Sequence, residues 1–162
     1  MLVDGIALAA VMAAAPQGRW LDVPYVRQPR EGCGAASIAM VMRYWGRPAE
    51  AGPIFRELYS HRLHGIAAAD MQPYFERHGF RAFAFEGDWN ALSAHIDKGR
   101  PLIVALDEGS RALHYVVVAG LDGAYALVND PARRKLLRVP RGDFEKRWHK
   151  RWTLLAVPAA SP

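Results

Sequence analysis

The chain changes character near residue 100, and this change limits the folds that it can adopt. Before that point, apolar Ile38, Val41, Met42 and Trp45 recur at the i, i+3, i+4, i+7 spacing of a helix with one buried face. An extended segment over residues 21–28 precedes this helix. Further helices are predicted over residues 53–59, 68–78 and 89–98, the last two followed directly by a glycine.

After residue 100, short apolar runs replace the helical spacing. Strands are predicted over residues 101–107, 114–119, 124–129, 136–139 and 152–157, with a short helix over 143–148. Asp122 and Gly123 lie between the second and third of these strands and predict a tight hairpin turn. Helices that precede an antiparallel sheet favour an α+β fold over a doubly wound parallel sheet.

Composition excludes several classes of protein. The 162 residues match one domain, and 51% hydrophobic with 23% charged residues is typical of a globular chain. The single cysteine, Cys33, cannot form an internal disulfide, and it excludes multi-cysteine zinc and iron–sulfur sites. The longest apolar run is the ten residues 6–15, whereas a membrane-spanning helix needs about 20. We therefore expect no stable membrane insertion of this chain.

Residues 1–15 stand apart from the domain that we predict over residues 16–162. Their apolar, alanine-rich run resembles the hydrophobic part of a secretory signal peptide, although Asp4 lies where such signals carry a positive charge. The alternative is an apolar helix that packs on the domain. The first interpretation predicts a periplasmic or secreted protein, and the second leaves the protein cytoplasmic.

Positive charge is concentrated at the C-terminal end. Residues 1–130 carry 12 Lys/Arg against 14 Asp/Glu, whereas residues 131–162 carry 9 against 2. The basic residues alternate with Val139, Phe144, Trp148 and Trp152, which is typical of folded structure rather than of a basic tail. We expect a solvated positive face and no binding of nucleic acid.

Cys33 lies where a flexible loop meets the first turn of the predicted helix. A helix N-terminus carries partial positive charge and free N–H groups, which stabilise a thiolate. The flanking Gly32 and Gly34 would leave room for a substrate to approach the sulfur. The same residue could equally be a small buried hydrophobe, since most lone cysteines are.

A thiolate nucleophile needs a base, and the base needs an orienting group. His114 opens a Val-rich strand and Asp130 follows its hairpin partner, so the hairpin would bring the two side by side. A carboxylate there can accept the Nδ1–H of His114 and favour the imidazolium. Separately, His114 could be an ordinary sheet histidine and Asp130 a turn residue before proline.

These segments resemble the bacteriocin-processing, double-glycine peptidase family of papain-like cysteine peptidases. The resemblance covers about residues 21–157 and is carried by VPYVRQ at 23–28, CGAASIAMVM at 33–42, YWG at 44–46, HYVVVAG at 114–120 and DP at 130–131. It implies a papain-like α+β fold, with a catalytic helix that starts at Cys33 and N-terminal helices packed on a C-terminal antiparallel sheet.

The resemblance also implies roles for individual residues. Cys33 would be the nucleophile, His114 the general base and acid, and Asp130 the orienting carboxylate. Gln28 would donate to the oxyanion together with the Cys33 backbone N–H. The sequence departs from the family in having Gly32 where many members have Asp. The implied activity is hydrolysis of a peptide or protein substrate, with cleavage after Gly-Gly of a leader peptide and an exporter as partner.

Other readings use the same residues differently. A transpeptidase or amidase could employ the same triad, and a catalytically silent peptide-binding domain could share the fold.

His61 and His64 are spaced to ligate a metal, but no third ligand is evident in the sequence. No glycine-rich phosphate loop or dinucleotide motif is present, so we expect neither a cofactor nor a metal.

Overall fold

The computed structural model describes residues 18–109 and 112–160, so the predicted signal segment 1–15 lies outside the described residues. The elements in chain order are β1 (Arg19–Trp20), α1 (Cys33–Tyr44), α2 (Ala51–Leu58), β2 (Tyr59–Ser60), β3 (Gly65–Ile66), α3 (Ala68–Arg77), β4 (Phe80–Glu86), α4 (Trp89–Asp97), β5 (Leu102–Leu106), β6 (His114–Leu121), β7 (Tyr125–Asn129), β8 (Leu137–Pro140), α5 (Arg141–Arg147) and β9 (Trp148–Pro158). Among these elements, no helix is long and apolar enough to cross a membrane.

The main sheet is antiparallel, with the order β4-β9-β5-β6-β7-β8, and β1 pairs with β6. The α+β prediction is confirmed. The prediction that helices simply precede the sheet is incomplete, because β4 lies between α3 and α4 and was not predicted. This strand pairs with β9 from Phe80↔Pro158 to Glu86↔Trp152. Its neighbour in the sheet is thus the last strand of the chain, a pairing that no local pattern reveals.

Two apolar layers cover the faces of the sheet. On one face, α1 packs with the alternate strand residues Ile103, Ala105, Val117 and Ala119. On the other, α4 and α5 pack with the intervening strand residues Leu102, Val104, Leu106, Val116 and Val118. Because both faces are covered, β5 and the apolar part of β6 read as continuous apolar runs rather than as alternating strands. Helix α1 is buried from Cys33 to Met42, which fixes its N-terminus firmly against the sheet.

The basic C-terminal residues belong to the folded domain. Ion pairs with acidic side chains involve Arg133, Lys135, Arg138, Arg141, Arg147 and Arg151. Arg138 also lies over the ring of Tyr125, and Arg141 over that of Trp89. Most of the excess positive charge is therefore tied to partners within the fold.

Candidate active site

The β6–β7 hairpin brings His114 and Asp130 together, as the sequence predicts. The strands pair with Val117 opposite Asn129, which places the first residue of β6 near the residue that follows β7. Nε2 of His114 lies 2.9 Å from Oδ1 of Asp130. The prediction that Nδ1 faces Asp130 is wrong. Because Nε2 faces the carboxylate, Nδ1 is the ring nitrogen that does not bond Asp130.

Cys33 is the first residue of α1, and its thiol lies beside the start of β6. Its Sγ is 3.8 Å from the carbonyl oxygen of Leu113, and only 8% of the residue is exposed. The N-cap residue Gly32 supplies no side-chain cap, and the first turn contains no acidic residue. The partial positive charge of the helix N-terminus therefore acts on the thiol without neutralisation by a cap.

The glycines that flank Cys33 serve packing rather than substrate access. A Cβ on Gly32 would lie 2.4 Å from Cγ of Pro29. A Cβ on Gly34 would lie 2.9 Å from Cε of Met71 and 3.1 Å from Cβ of Ile66. The expectation that both glycines leave room for substrate is corrected accordingly. Their small size lets the preceding loop fold tightly against the helix and lets α1 approach β3 and α3.

Asp130 is a buried carboxylate whose two oxygens both have partners. Its side chain is 1% exposed. Oδ1 accepts from the backbone N–H of Ala132 at 2.9 Å as well as from His114, and Oδ2 accepts from Arg133 at 2.9 Å. Burial pushes the pKa of Asp130 up, but these bonds and the positive charges of His114 and Arg133 outweigh it and hold the pKa below its usual value. Asp130 is thus held as an anion.

His114 is 11% exposed, and burial on its own disfavours the imidazolium. Burial lowers the pKa of His114, but hydrogen bonds with Asp130 and Cys33 and the negative charges of both groups raise it to about 10. The site therefore favours the positively charged form of the His114 ring.

Gln28 lies in a segment that is attached to the turn after Asp130. The segment 21–28 forms no strand, and it is also held by hydrogen bonds to Ala119 and Asn129 of the sheet. The Gln28 backbone N–H donates to the carbonyl of Pro131 at 3.0 Å, and the Tyr25 hydroxyl donates to the carbonyls of Asp130 and Pro131 at 3.0 and 3.2 Å. Within the described part of the chain, Oε1 of Gln28 is buried without a hydrogen-bond partner. The atom left without a partner is an acceptor, whereas the stabilisation of an oxyanion requires a donor, the NH2 group of the same amide.

The structure adds residues that sequence reasoning missed. Tyr25 and Arg133 both hold the Asp130 turn, and Glu108 holds Arg133 through an ion pair of 3.1 Å. Tyr25 lies within the motif at residues 23–28, and Arg133 follows Asp130 at a spacing of three, which were the available signals. Glu108 offers no local signal, because its link to Arg133 spans 25 residues.

Glu108, His114 and Asp130 each have one possible metal-ligand atom, and these three atoms lie within 4.8 Å of one another. Clusters of this kind can hold a metal ion. Here the guanidinium of Arg133 contacts both carboxylates and already supplies a positive charge. The pair His61 and His64 serves local packing: His64 Nδ1 lies 3.5 Å from a carboxylate oxygen of Glu31, and His61 packs edge-on against a tyrosine ring.

An apolar groove runs from Leu113 along the surface. It consists of two adjoining cavities of about 390 and 330 Å³ that share Ala68, Leu113 and His149. The remaining walls include Leu63, Ile66, Tyr115, Ala84, Phe85 and Trp152. Because the Leu113 carbonyl lies beside the thiol, a peptide in this groove would pass close to Cys33.

Comparison with protein families decides the class. The model of the Peptidase_C39 like family matches residues 20–154. The chain belongs to the Peptidase_C39 like family. The resemblance drawn from the motifs is confirmed, as are the papain-like α+β fold and the assignment to cysteine-type peptidases.

Individual members of this group are similar over most of the chain. The Lactococcin-G-processing and transport ATP-binding protein LagD of Lactococcus lactis subsp. lactis is 33% identical over 125 residues, which are 75% of this chain and 17% of LagD. The chain thus spans about one sixth of that transport protein. The crystal structure of the peptidase domain of Streptococcus ComA is 25% identical, with a TM-score of 0.73 over 84% of this chain and 98% of that domain.

A second solved structure has a bound peptide. It is a double glycine motif protease from an AMS/PCAT transporter in complex with the leader peptide, and it is 25% identical to this chain. The TM-score is 0.71, and the match covers 86% of this chain and 94% of that one. The described C39 domain is therefore similar to peptidase domains that occur within ABC transporters.

Proposed function

We propose that this C39 domain hydrolyses peptide bonds through an acyl-enzyme on Cys33. The observation that carries the proposal is the position of His114, which bonds to the buried Asp130 carboxylate through Nε2, while the Cys33 thiol lies 3.8 Å from the carbonyl oxygen of the preceding residue, Leu113. A nucleophile, a base and an orienting carboxylate in that order are the requirements of thiol-based acyl transfer.

The reaction would proceed in two halves. The Cys33 thiolate attacks the carbonyl carbon, a C–S bond forms, and the C–N bond breaks as His114 gives its proton to the leaving amine. His114 then takes a proton from water, whose oxygen attacks the thioester and releases the acid. The thiolate regains its imidazolium partner at the end of the cycle. Asp130 keeps the ring oriented and stabilises its positive charge throughout.

The oxyanion would be stabilised by two donors. One is the Cys33 backbone N–H at the start of α1, whose helix dipole also favours negative charge there. The other is the NH2 group of the Gln28 side-chain amide, a residue whose backbone is fixed against Pro131. Such a donor would bond strongly only after the carbonyl oxygen becomes negative.

The substrate that fits best is a peptide with small residues at the cleavage site. Cys33 is 8% exposed, so a large side chain next to the scissile bond would meet the walls of the cleft. Glycine has no side chain, which supports cleavage after Gly-Gly. The similarity to the double glycine motif protease solved with its leader peptide supports the same substrate class. The apolar groove beside Leu113 would hold the preceding leader residues, and an exporter would be the partner.

The test is cleavage of a synthetic leader peptide that ends in Gly-Gly before a fluorogenic amide. We expect release of the fluorophore by the parent protein and none by Cys33→Ala with unchanged thermal stability. A matched peptide with Ala-Ala in place of Gly-Gly should be cleaved at least ~10-fold more slowly, the scale of discrimination that a small steric difference provides. Equal turnover by Cys33→Ala would remove the thiol mechanism. Transfer of the acyl group to an added amine instead of water would identify a transpeptidase.

A further inference from the structure

One of the two carboxylate oxygens of Asp130 bonds a residue outside the triad, Arg133. Oδ1 is occupied by His114 and by a backbone N–H, whereas Oδ2 accepts from NH1 of Arg133 at 2.9 Å. The carboxylate is 1% exposed, so an unpaired oxygen there would be costly. Arg133 is 50% exposed and is therefore not needed to fill the core. Its contribution to the fold is mainly electrostatic.

Arg133 is held in place from both sides. Its backbone N–H donates to the carbonyl of Asp130 at 3.0 Å, which closes the turn that contains both residues. The same NH1 that bonds Asp130 also lies 3.1 Å from Oε1 of Glu108, and that oxygen is 3.6 Å from NH1 of Arg147. A chain of alternating charges therefore runs from the surface residue Arg147 through Glu108 and Arg133 to the buried triad.

We propose that Arg133 is a positioning residue of the peptidase, which keeps the Asp130 carboxylate ionised and oriented so that it can hold the His114 imidazolium. The proposal rests on the proposed function of the Cys33–His114–Asp130 site. Arg133 bonds Asp130 rather than His114 or Cys33, so it acts through the carboxylate. Glu108 has two effects. Its negative charge near Asp130 disfavours the ionised Asp130 carboxylate, and its ion pair with Arg133 holds the Arg133 guanidinium in place.

The groups that face Asp130 come from four parts of the fold. His114 faces it from β6, Arg133 from its own turn, and Glu108 from the loop after β5. The Tyr25 hydroxyl contacts its backbone carbonyl, and Cys33 acts on it through His114. Among these described groups, only Arg133 and the imidazolium are positive. Removal of Arg133 leaves the buried carboxylate with one cationic partner, so Asp130 would take up a proton at higher pH.

The experiment measures the rate of Cys33 alkylation by iodoacetamide against pH, a readout that needs no substrate. In Arg133→Met we expect the acidic limb of this profile to move up by about 1 pH unit, the lower end of the range for one nearby charge because Arg133 is half exposed. In Arg133→Lys the limb should stay near its parent position. The contacts of Arg133 with Asp130 and Glu108 use a single guanidinium nitrogen, which an ammonium can replace.

Two further variants separate this role from a structural one. Glu108→Gln removes a negative charge near Asp130 and should move the acidic limb in the opposite direction. It keeps the proposal testable if Arg133→Met does not fold. Arg134→Met is the matched control, because it makes the same charge change one residue away at an exposed side chain. In peptide cleavage, Arg133→Met should lower kcat below the optimum pH and leave KM within about twofold, as expected of a group that acts on the transition state rather than on substrate binding.

An acidic limb that is unchanged in both Arg133→Met and Glu108→Gln would overturn the proposal. So would an Arg134→Met profile that shifts as far as that of Arg133→Met. Cys33→Ala is measured in parallel, since turnover by that variant would instead refute the proposed function. If Cys33→Ala is inactive and the Arg133 profile is unchanged, the positioning role alone is wrong.

Discussion

The substitution Asp130→Asn tests how the site keeps His114 protonated. Asparagine has nearly the same size as aspartate, so the packing of the turn is retained while the negative charge is lost. An Asn amide has a single oxygen, which cannot accept from His114, Ala132 and Arg133 together as the carboxylate does. The imidazolium therefore loses both its charge partner and its best acceptor.

The expected magnitude follows from the pKa of His114. In the parent this pKa is raised to about 10, so the ring is almost fully protonated near pH 8.5. If the pKa of the variant fell all the way to the ordinary value of about 6.5, only about 1% of the ring would be protonated at that pH. Cys33 also raises this pKa, so the complete return sets the upper limit of the effect. Turnover needs the imidazolium to protonate the leaving amine, so kcat/KM near pH 8.5 should fall by a further factor of up to ~10² relative to its value near pH 5.5.

The assay is cleavage of the Gly-Gly leader peptide from about pH 5 to pH 10, with an NMR titration of the His114 ring protons. A loss of geometry lowers kcat/KM equally at all pH values, whereas a loss of protonation moves the basic limb. Asp122→Asn is the matched control, since Asp122 also bonds a backbone N–H and an arginine but lies at the hairpin turn. A basic limb that stays near pH 10 in Asp130→Asn would refute the reasoning, as would an equal shift in Asp122→Asn.

Three other predictions concern the nucleophile and its surroundings. His114→Ala should move the alkylation profile of Cys33 upward towards that of a free thiol, near pH 8.5, and an unchanged profile would show that His114 is not the partner. Gln28→Ala should lower kcat by ~10² or more but leave alkylation and thermal stability close to the parent values, whereas parallel losses in all three would indicate a structural role. Gly32→Ala should lower the free energy of unfolding by about 1–3 kcal/mol in urea denaturation, because its Cβ would lie 2.4 Å from Cγ and 2.9 Å from the carbonyl oxygen of Pro29, and a gain in stability would contradict that contact.

Local patterns predicted most of the helices and strands of this C39 domain. The i, i+3, i+4, i+7 spacing predicted α1, and the glycines at 79 and 99 predicted the ends of α3 and α4. These signals work because they depend on residues that are close in sequence. Strand β4 was not predicted, because it follows α3 closely and its partner β9 lies about 70 residues further along the chain.

In the candidate site too, local sequence predicted some features and tertiary packing set the others. Cys33 was identified from its place at a helix N-terminus, and the hairpin register predicted that His114 would meet Asp130. The choice of Nε2 rather than Nδ1 was not predictable, because the orientation of a ring depends on how β6 is placed against α1. The role of Gly34 was also misjudged, since the atoms that crowd it come from β3 and α3.

The sequence by itself determined most of the helices and strands, the hairpin and the identity of the residues that can perform thiol chemistry, since each of these depends on local spacing or on motif. Only the tertiary structure decided which charged residues surround them. Arg133 contacts Asp130, Glu108 contacts Arg133 and Arg147 contacts Glu108, because the β7–β8 turn, the end of β5 and α5 meet at one end of the strands. The strength of a charge interaction depends on distance and burial, and both are set by packing between segments far apart in the chain.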